Sequence, residues 1–204
     1  MQKVTVLGAG AWGSTMAQVS CDAGNEVLVW GRNSDVVNEI NSSHTNTKYL
    51  DANVLPSQVR ATTDINEALA FSKYLILAIP AQTLRDKLIE WKPLFKSEYT
   101  IVSTLKGIET STLLRMTEVI EEVTGSKRIA LITGPNLANE LILRQPAGAV
   151  VAAHSQALAE EVRTLFRNPY YRVYTSVDVL GCELAGAIKS VIALAVGISI
   201  GMEF

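Results

Sequence analysis

Cysteine is nearly absent from this 204-residue chain; only Cys21 and Cys182 occur. Two cysteines so far apart give neither a disulfide framework nor a cysteine-ligated zinc site, and their scarcity fits a reducing cytoplasm. Histidine is as rare, with His44 and His154 alone. That is too few for a histidine-rich site, and no metal is expected. An excess of one charge is also missing. Eighteen Lys and Arg against 20 Asp and Glu leave a net charge of −2. Nucleic acid and anionic membrane surfaces call for a basic surplus, so neither is an expected partner. The charge-free apolar stretch Ser190 to Met202 is shorter than the roughly 18 apolar residues of a membrane span, and no membrane insertion is expected. The first residues hold one lysine and then a strand-like run, which is no secretory signal. There is no internal repeat, low-complexity tract or Pro/Ser-rich linker. What remains is a globular composition, 48% hydrophobic and 19% charged, long enough for one large domain or one domain and part of a second.

The apolar residues come in a β-α alternation. Lys3 to Leu7 is a short β-branched run that ends in glycines. Ala11 to Ala23 has helical composition, with Gly24 as its stop. Glu26 to Trp30 predicts the second strand and Ser34 to Ile40 the second helix. Val59 to Thr62 is a weak third strand, and Asp64 caps a short helix to Ala70. Tyr74 to Ile79 is nearly all apolar, as in a strand buried on both faces, and Pro80 stops it. Helix is expected from Gln82 to Glu90, strand from Thr100 to Thr104, and helix from Thr110 to Val123. Ile129 to Thr133 is strand, and Asn136 is placed as the cap of a helix toward Leu143. Strand, helix and strand follow at 148–153, 157–166 and 172–174. This order predicts a doubly wound α/β fold with a mostly parallel sheet. The polar segment Asn41 to Ser57 is read as irregular, either a loop near ligand or a plain surface excursion. Leu180 to Met202 reads as a helix apolar all round, which implies burial. The expected division is a dinucleotide-binding domain over 1–177 and, over 178–204, the first helix of a helical domain otherwise missing.

Gly8-Ala-Gly10-Ala-Trp-Gly13 follows the first strand and opens the first helix. In that context the glycines mark a dinucleotide-binding turn. Gly8 allows the tight turn, Gly10 lets backbone approach a pyrophosphate, and Gly13 lets helix pack on strand. The free N–H groups of the helix then face phosphate. The second strand ends Trp30-Gly31-Arg32-Asn33, without the carboxylate that grips the ribose of NAD. Arg32 suits a 2′-phosphate or a stack on adenine, which tilts the cofactor from NAD toward NADP; a solvated loop charge is its plain alternative. Trp12 fits ligand contact and packing equally.

Ligands of open parallel sheets bind at the strands' carboxyl ends. Pro80 stands there, most simply as a strand terminator. Lys106-Gly107 stands there too, either a cation aimed at the cleft or a surface lysine. Gly134-Pro135-Asn136 begins another helix, as an anion-friendly turn or a simple capped one. Lys189 is the only charge between Glu183 and Glu203. Burial in such a helix would lower its pKa and suit it to proton transfer, whereas snorkelling would leave it in water.

These pieces, in this order, resemble the bacterial NAD(P)-dependent sn-glycerol-3-phosphate dehydrogenases. The matching text is VLGAGAWGSTMA at 6–17, VLVWGRN at 27–33, STLKGIE at 103–109, ITGPNLANEL at 132–141 and GCELAGAIKSVIALAVGIS at 181–199. The resemblance implies reversible reduction of dihydroxyacetone phosphate to sn-glycerol 3-phosphate with NAD or NADP, feeding phospholipid synthesis. It implies that Ala11, Trp12, Arg32, Tyr49 and Ala138 line the dinucleotide site beside Gly8, Gly10 and Gly13. Lys106 would touch cofactor and substrate, Gly134 and Asn136 substrate, and Lys189 would be the catalytic acid/base. The chain departs from the family at Asn136, where Ser or Thr is common, and at Ser190, where Asn is common. The family continues into an all-helical domain that supplies an Asp and a Ser-Arg-Asn run for substrate, and none of that is in this text. The expectation is dinucleotide binding with little turnover by these residues alone. A cytoplasmic location is expected, and a homodimer is compatible with the longer form. Two other readings stay open: another dehydrogenase of this architecture, such as a ketopantoate reductase or a sugar-nucleotide dehydrogenase, and a non-catalytic dinucleotide-binding module.

Overall fold

In the computed structural model, which describes residues 1–203, eight strands form one sheet. They are β1 Lys3–Leu7, β2 Glu26–Trp30, β3 Val59–Thr62, β4 Tyr74–Leu77, β5 Thr100–Ser103, β6 Ile129–Thr133, β7 Ala147–Ala153 and β8 Tyr171–Ser176. Their order is β3-β2-β1-β4-β5-β6-β7-β8. Every pairing is parallel except β6 with β7, so the sheet is mostly parallel, as expected. The helices are α1 Ala11–Asp22, α2 Ser34–Ser43, α3 Thr47–Leu50, α4 Ile65–Phe71, α5 Leu84–Trp91, α6 Met116–Thr124, α7 Ala138–Ile142, α8 Gln156–Arg163 and α9 Val179–Gly201.

The strands carry apolar side chains on both faces because helices cover both. Val4, Val6, Ile76 and Val102 share one core with Met16 of α1 and Val162 of α8. Leu7, Leu75, Leu77 and Ile101, which point the other way, share a second core with Leu88 and Trp91 of α5 and Ile120 of α6. The period of two thus divides each strand between two layers. Burying a large aliphatic side chain contributes roughly 1.5–3 kcal/mol, which is why these inner strands hold few polar groups. Thr5 is an exception, and its hydroxyl donates to the Ala68 carbonyl at 2.8 Å.

The structure corrects several boundaries. Helix α6 starts at Met116, not Thr110. Residues 108–115 instead make a closed loop, bridged from Ile108 to Arg115, with Leu113 at φ 61°. Glu109 in this loop is ion-paired with Arg85 of α5, and Thr112 donates to the same carboxylate, so these side chains serve a turn and not a helix. Asn136 does not cap α7. Leu137 occupies that position, and the Asn136 amide donates to the Tyr171 hydroxyl at 3.0 Å. The segment Asn41 to Ser57 is less irregular than its composition suggests, since α2 runs to Ser43 and α3 follows.

Helix α9 departs most from expectation. It packs at its start, where Val179 and Glu183 are buried, while Val191, Ile192, Leu194, Val196, Ile198 and Ile200 are exposed. Among the described residues its main support is β6 and β7, two inner strands of the sheet. By length and composition this helix is apolar enough to cross a membrane, with a mean hydropathy of 1.9. The span exceeds the charge-free stretch because it takes in Glu183 and Lys189.

Candidate dinucleotide cleft and active site

Parallel strands that diverge from a switch point leave a crevice at their carboxyl ends. Here β1 is followed on one side by β2 and on the other by β4. A cleft of about 770 Å³ opens at that end, bounded by Gly8 to Trp12, Trp30 to Asn33, Ala78 to Ala81 and Thr104 to Lys106, with Lys48 and Tyr49 from α3.

The glycine turn is shaped by contact. Gly8 has φ +130°, and a Cβ there would lie 2.3 Å from the Ala78 carbonyl oxygen. At Gly13 a Cβ would lie 1.8 Å from the Gly8 carbonyl oxygen, so α1 rests directly on the turn. At Gly10 a Cβ would meet no protein atom within 4 Å. The absence of a side chain at Gly10 therefore opens space on the cleft side, where a ligand's phosphates can approach. Gly10 is also the N-cap of α1, which has no side-chain cap and no acidic residue in its first turn. The N–H groups of Ala11, Trp12 and Gly13 have no intrahelical acceptor. These features fit a pyrophosphate, and the turn and α1 would hold it.

A polar residue that the sequence reading passed over braces this turn. Asn46 is fully buried. Its amide donates to the Ala9 carbonyl at 3.0 Å and to the Ser14 hydroxyl at 2.8 Å. It is also the residue before α3, so the same side chain that fixes the turn presents Lys48 and Tyr49. Asn46 was hard to find because it lies in a segment with no periodicity.

The cleft is cationic. Arg32, Lys48, Lys87 and Lys106 line it, and among the described residues no Asp or Glu does. Lys48 and Lys87 were also missed, since an isolated lysine in sequence looks like any surface charge. Lys106 sits after β5, 5.8 Å from the centre of the Trp12 ring, and donates to the Gly134 carbonyl at 3.2 Å. Desolvation in the cleft, and then the positive charge of Lys189, push its pKa below the ordinary lysine value. Its loop is locked from behind. Arg85 Nε donates to Glu109 Oε1 at 3.0 Å and Arg85 Nη2 to Oε2 at 2.9 Å, and Thr112 donates to the same carboxylate. These bonds, the Arg85 pair foremost, hold the Glu109 carboxyl below its usual range.

The expected site residues fall into two groups. Gly8, Gly10, Ala11, Trp12, Arg32, Tyr49 and Lys106 line the cleft. Gly13 stands behind it as packing. Pro80, read most simply as a strand terminator, is on the cleft wall. Gly134 reaches the cleft through Lys106. Its lack of a side chain lets β6 end against β7, since a Cβ would lie 2.6 Å from the Gly148 carbonyl oxygen. Ala138 packs against the core and Asn136 turns toward β8, so neither lines the cleft. Lys189 is half-buried on α9, close enough to Lys106 for its charge to be felt there. Cys21 and Cys182 are free thiols, both made less acidic by burial.

Residues 3–159 match the family described as NAD-dependent glycerol-3-phosphate dehydrogenase N-terminus. The chain belongs to that family. A relative from Thermobifida fusca, named glycerol-3-phosphate dehydrogenase [NAD(P)+], is 48% identical over 207 residues, covering 100% of this chain and 62% of the relative. One of the same name from Streptomyces avermitilis is 46% identical over 202 residues, covering 98% of this chain and 60% of the relative. The chain thus spans about 60% of the length of these curated relatives. A crystal structure of glycerol-3-phosphate dehydrogenase from Coxiella burnetii superposes with a TM-score of 0.89 at 27% identity, covering 99% of this chain and 62% of that one. Membership in this family weighs against the other dehydrogenases considered above.

Proposed function

We propose that this protein reduces dihydroxyacetone phosphate to sn-glycerol 3-phosphate, reversibly, and so supplies phospholipid synthesis. The observation that carries the reading is a cationic cleft with Lys106 at one end, where α9, the helix that bears Lys189, lies against the Lys106 stem at Gly186. A phosphorylated ketone is a dianion at neutral pH, and it needs cations and N–H donors. Lys106 provides one such cation, held at the cleft by the Glu109 loop and the Gly134 carbonyl. Lys189 holds the proton that the ketone oxygen needs and takes it back in the oxidative direction. NAD(P)H, when bound, supplies the hydride. The turn from Gly8 to Gly13 and the start of α1 hold its pyrophosphate, with Trp12 and Tyr49 as flanking surfaces. Arg32, with no carboxylate beside it on the cleft wall, favours NADP slightly over NAD. Gly134, whose carbonyl accepts from Lys106, is proposed near the substrate.

The proposed domains are a dinucleotide-binding unit over 1–177 and the beginning of a helical one over 178–204. The reading also places the protein in the cytoplasm, with α9 covered by protein and not lipid. A half-buried lysine in mid-helix and an ion-paired Glu183 support that assignment, because charged groups are costly at the centre of a bilayer. A homodimer is the proposed assembly of the protein.

A hydride-transfer assay tests the activity. The protein is mixed with dihydroxyacetone phosphate, NADH and NADPH oxidation are followed separately, and Lys189→Ala is run alongside. The expected result is substrate-dependent oxidation, slow for these 204 residues alone, that K189A loses while still binding cofactor. Equal oxidation with and without dihydroxyacetone phosphate, or full turnover by K189A, would overturn the assignment.

A further inference from the structure

Glu183 is a carboxylate with almost no access to solvent, on a helix that is otherwise apolar. Its side chain is 3% exposed, and it does not line the cleft. Burying a charge without partners costs several kcal/mol, so its surroundings are informative. Thr117 N–H donates to Oε1 at 2.8 Å and Thr117 Oγ1 to Oε2 at 2.6 Å. Arg115 Nη1 donates to Oε2 at 2.9 Å. Thr117 is in the first turn of α6, where free N–H groups favour a negative charge. One carboxylate is thus held by a backbone N–H, a hydroxyl and a guanidinium. Arg115 is itself fixed by Glu118 at 2.6 Å.

The next turns of α9 show what this anchor controls. Gly186 comes three residues after Glu183 and Lys189 three after that, each about one helical turn beyond the last. A Cβ at Gly186 would lie 2.8 Å from Thr133 Oγ1 and 3.7 Å from Lys106 Cγ. The helix therefore touches the end of β6 and the stem of Lys106 at this point, and Lys189 follows one turn later. Beyond Lys189 the helix leaves the sheet, and its side chains are exposed. Glu183 is the only charged side chain that ties α9 to the rest of the described residues. A smooth apolar helix resting on β6 and β7 can slide or rotate at little cost. A carboxylate inserted at the α6 N-terminus cannot.

We infer that Glu183 is a positioning residue, which sets the rotation and depth of α9 and so holds Lys189 beside Lys106. The inference rests on the acid/base role proposed above for Lys189. Removing the anchor lets α9 shift, and a displacement of about 1 Å at a catalytic group can lower turnover by about a hundredfold.

The test compares wild type, Glu183→Gln, Glu183→Ala, K189A and the double variant E183Q/K189A. The readouts are kcat, KM, NADPH affinity by fluorescence, and the titration of Lys106 by NMR of ¹³C-methylated lysines. Lys106 is felt by Lys189, so its pKa reports where Lys189 is, whether or not the protein turns over. E183A is expected to lose about a hundredfold in kcat, with NADPH affinity near wild type. E183Q keeps the Thr117 N–H bond and should lose less. In the K189A background E183Q should have almost no further effect on kcat. Lys106 should titrate higher in E183A, as in K189A. An unchanged Lys106 titration in both Glu183 variants would overturn the inference. So would a loss of kcat by E183Q that is as large without Lys189 as with it. If E183A fails to fold by circular dichroism, E183Q carries the same comparison. Full turnover by K189A would sink the acid/base role instead, and the Lys106 titration would still decide whether Glu183 positions α9.

Discussion

Replacing Gly13 by alanine separates the packing role of the glycine turn from its binding role. The new Cβ would lie 1.8 Å from the Gly8 carbonyl oxygen and 2.9 Å from its carbon. Both are backbone atoms and cannot swing aside. Real Cβ atoms essentially never come within 3.0 Å of another heavy atom, so α1 must move off the turn by more than an ångström. Met16, Ala17 and Val19 of α1 are fully buried and would move with it. Forced overpacking of this kind costs about 1–3 kcal/mol, and the contact is severe enough to reach the top of that range. Alanine's lower chain entropy when unfolded returns only about 0.4–1 kcal/mol. For a chain of this size a net loss near 2 kcal/mol lowers Tm by roughly 4–8 °C. The same shift draws the N–H groups at the start of α1 from a bound pyrophosphate. A hydrogen bond to a charged group contributes about 1.5–3 kcal/mol, so losing one raises the Kd for NADPH about 10- to 150-fold. Gly10→Ala is the counterpart. Its Cβ meets no protein atom, so its Tm should change little, while NADPH affinity should fall because the methyl occupies ligand space. Thermal unfolding without ligand, and fluorescence titration with NADPH, measure the two effects. Wild-type Tm and affinity in G13A would refute the packing argument. Wild-type affinity in G10A would refute phosphate approach at this turn.

Arg32→Ala should weaken NADPH binding by about tenfold or more and NADH binding far less, because only the former carries a 2′-phosphate; equal losses by fluorescence titration would remove Arg32 as the selector. Asn46→Ala deletes two buried hydrogen bonds to the turn, and each contributes about 0.5–1.5 kcal/mol. Urea unfolding should show a loss of about 1–3 kcal/mol, with weaker NADPH binding, and unchanged affinity would separate Asn46 from the site. Glu109 has a depressed carboxyl, so its stabilisation is full above the unfolded value near roughly 4.3 and is lost as pH falls through the lower folded value. Urea midpoints should accordingly drop on the acid side in wild type and less in Glu109→Gln; parallel curves for the two would refute the Arg85–Glu109 lock.

Much of this protein was legible before folding was considered. The alternation of apolar runs and helical segments gave the strand order's ingredients, because a buried parallel strand must be apolar on both faces. The glycine turn was legible because only glycine fits a φ of +130° or a Cβ contact of 1.8 Å, so the backbone geometry leaves its mark in the text. The resemblance to the dehydrogenases was legible through short motifs that survive as words. Boundaries were less legible. Residues 110–115 looked helical because their local composition says nothing of Arg85, which is on another helix.

Sequence alone thus determined the fold class, the glycine turn and the two lysines worth watching. Each rests on residue type within a few positions. Only the tertiary structure decided which polar residues brace them. Asn46, Glu109 and Glu183 sit in unremarkable contexts, and their partners lie 24 to 68 residues away or across the turn. It alone showed a cleft with four cations and, among the described residues, no carboxylate, since the sheet gathers charges that the chain scatters. It also showed that Glu183 ties α9 to Arg115 and that, among the described residues, the large apolar side chains beyond Lys189 are exposed. Local patterning fixes what a segment can become, but the cost of burying an unpaired polar group, which selects its partner, arises only when distant segments meet.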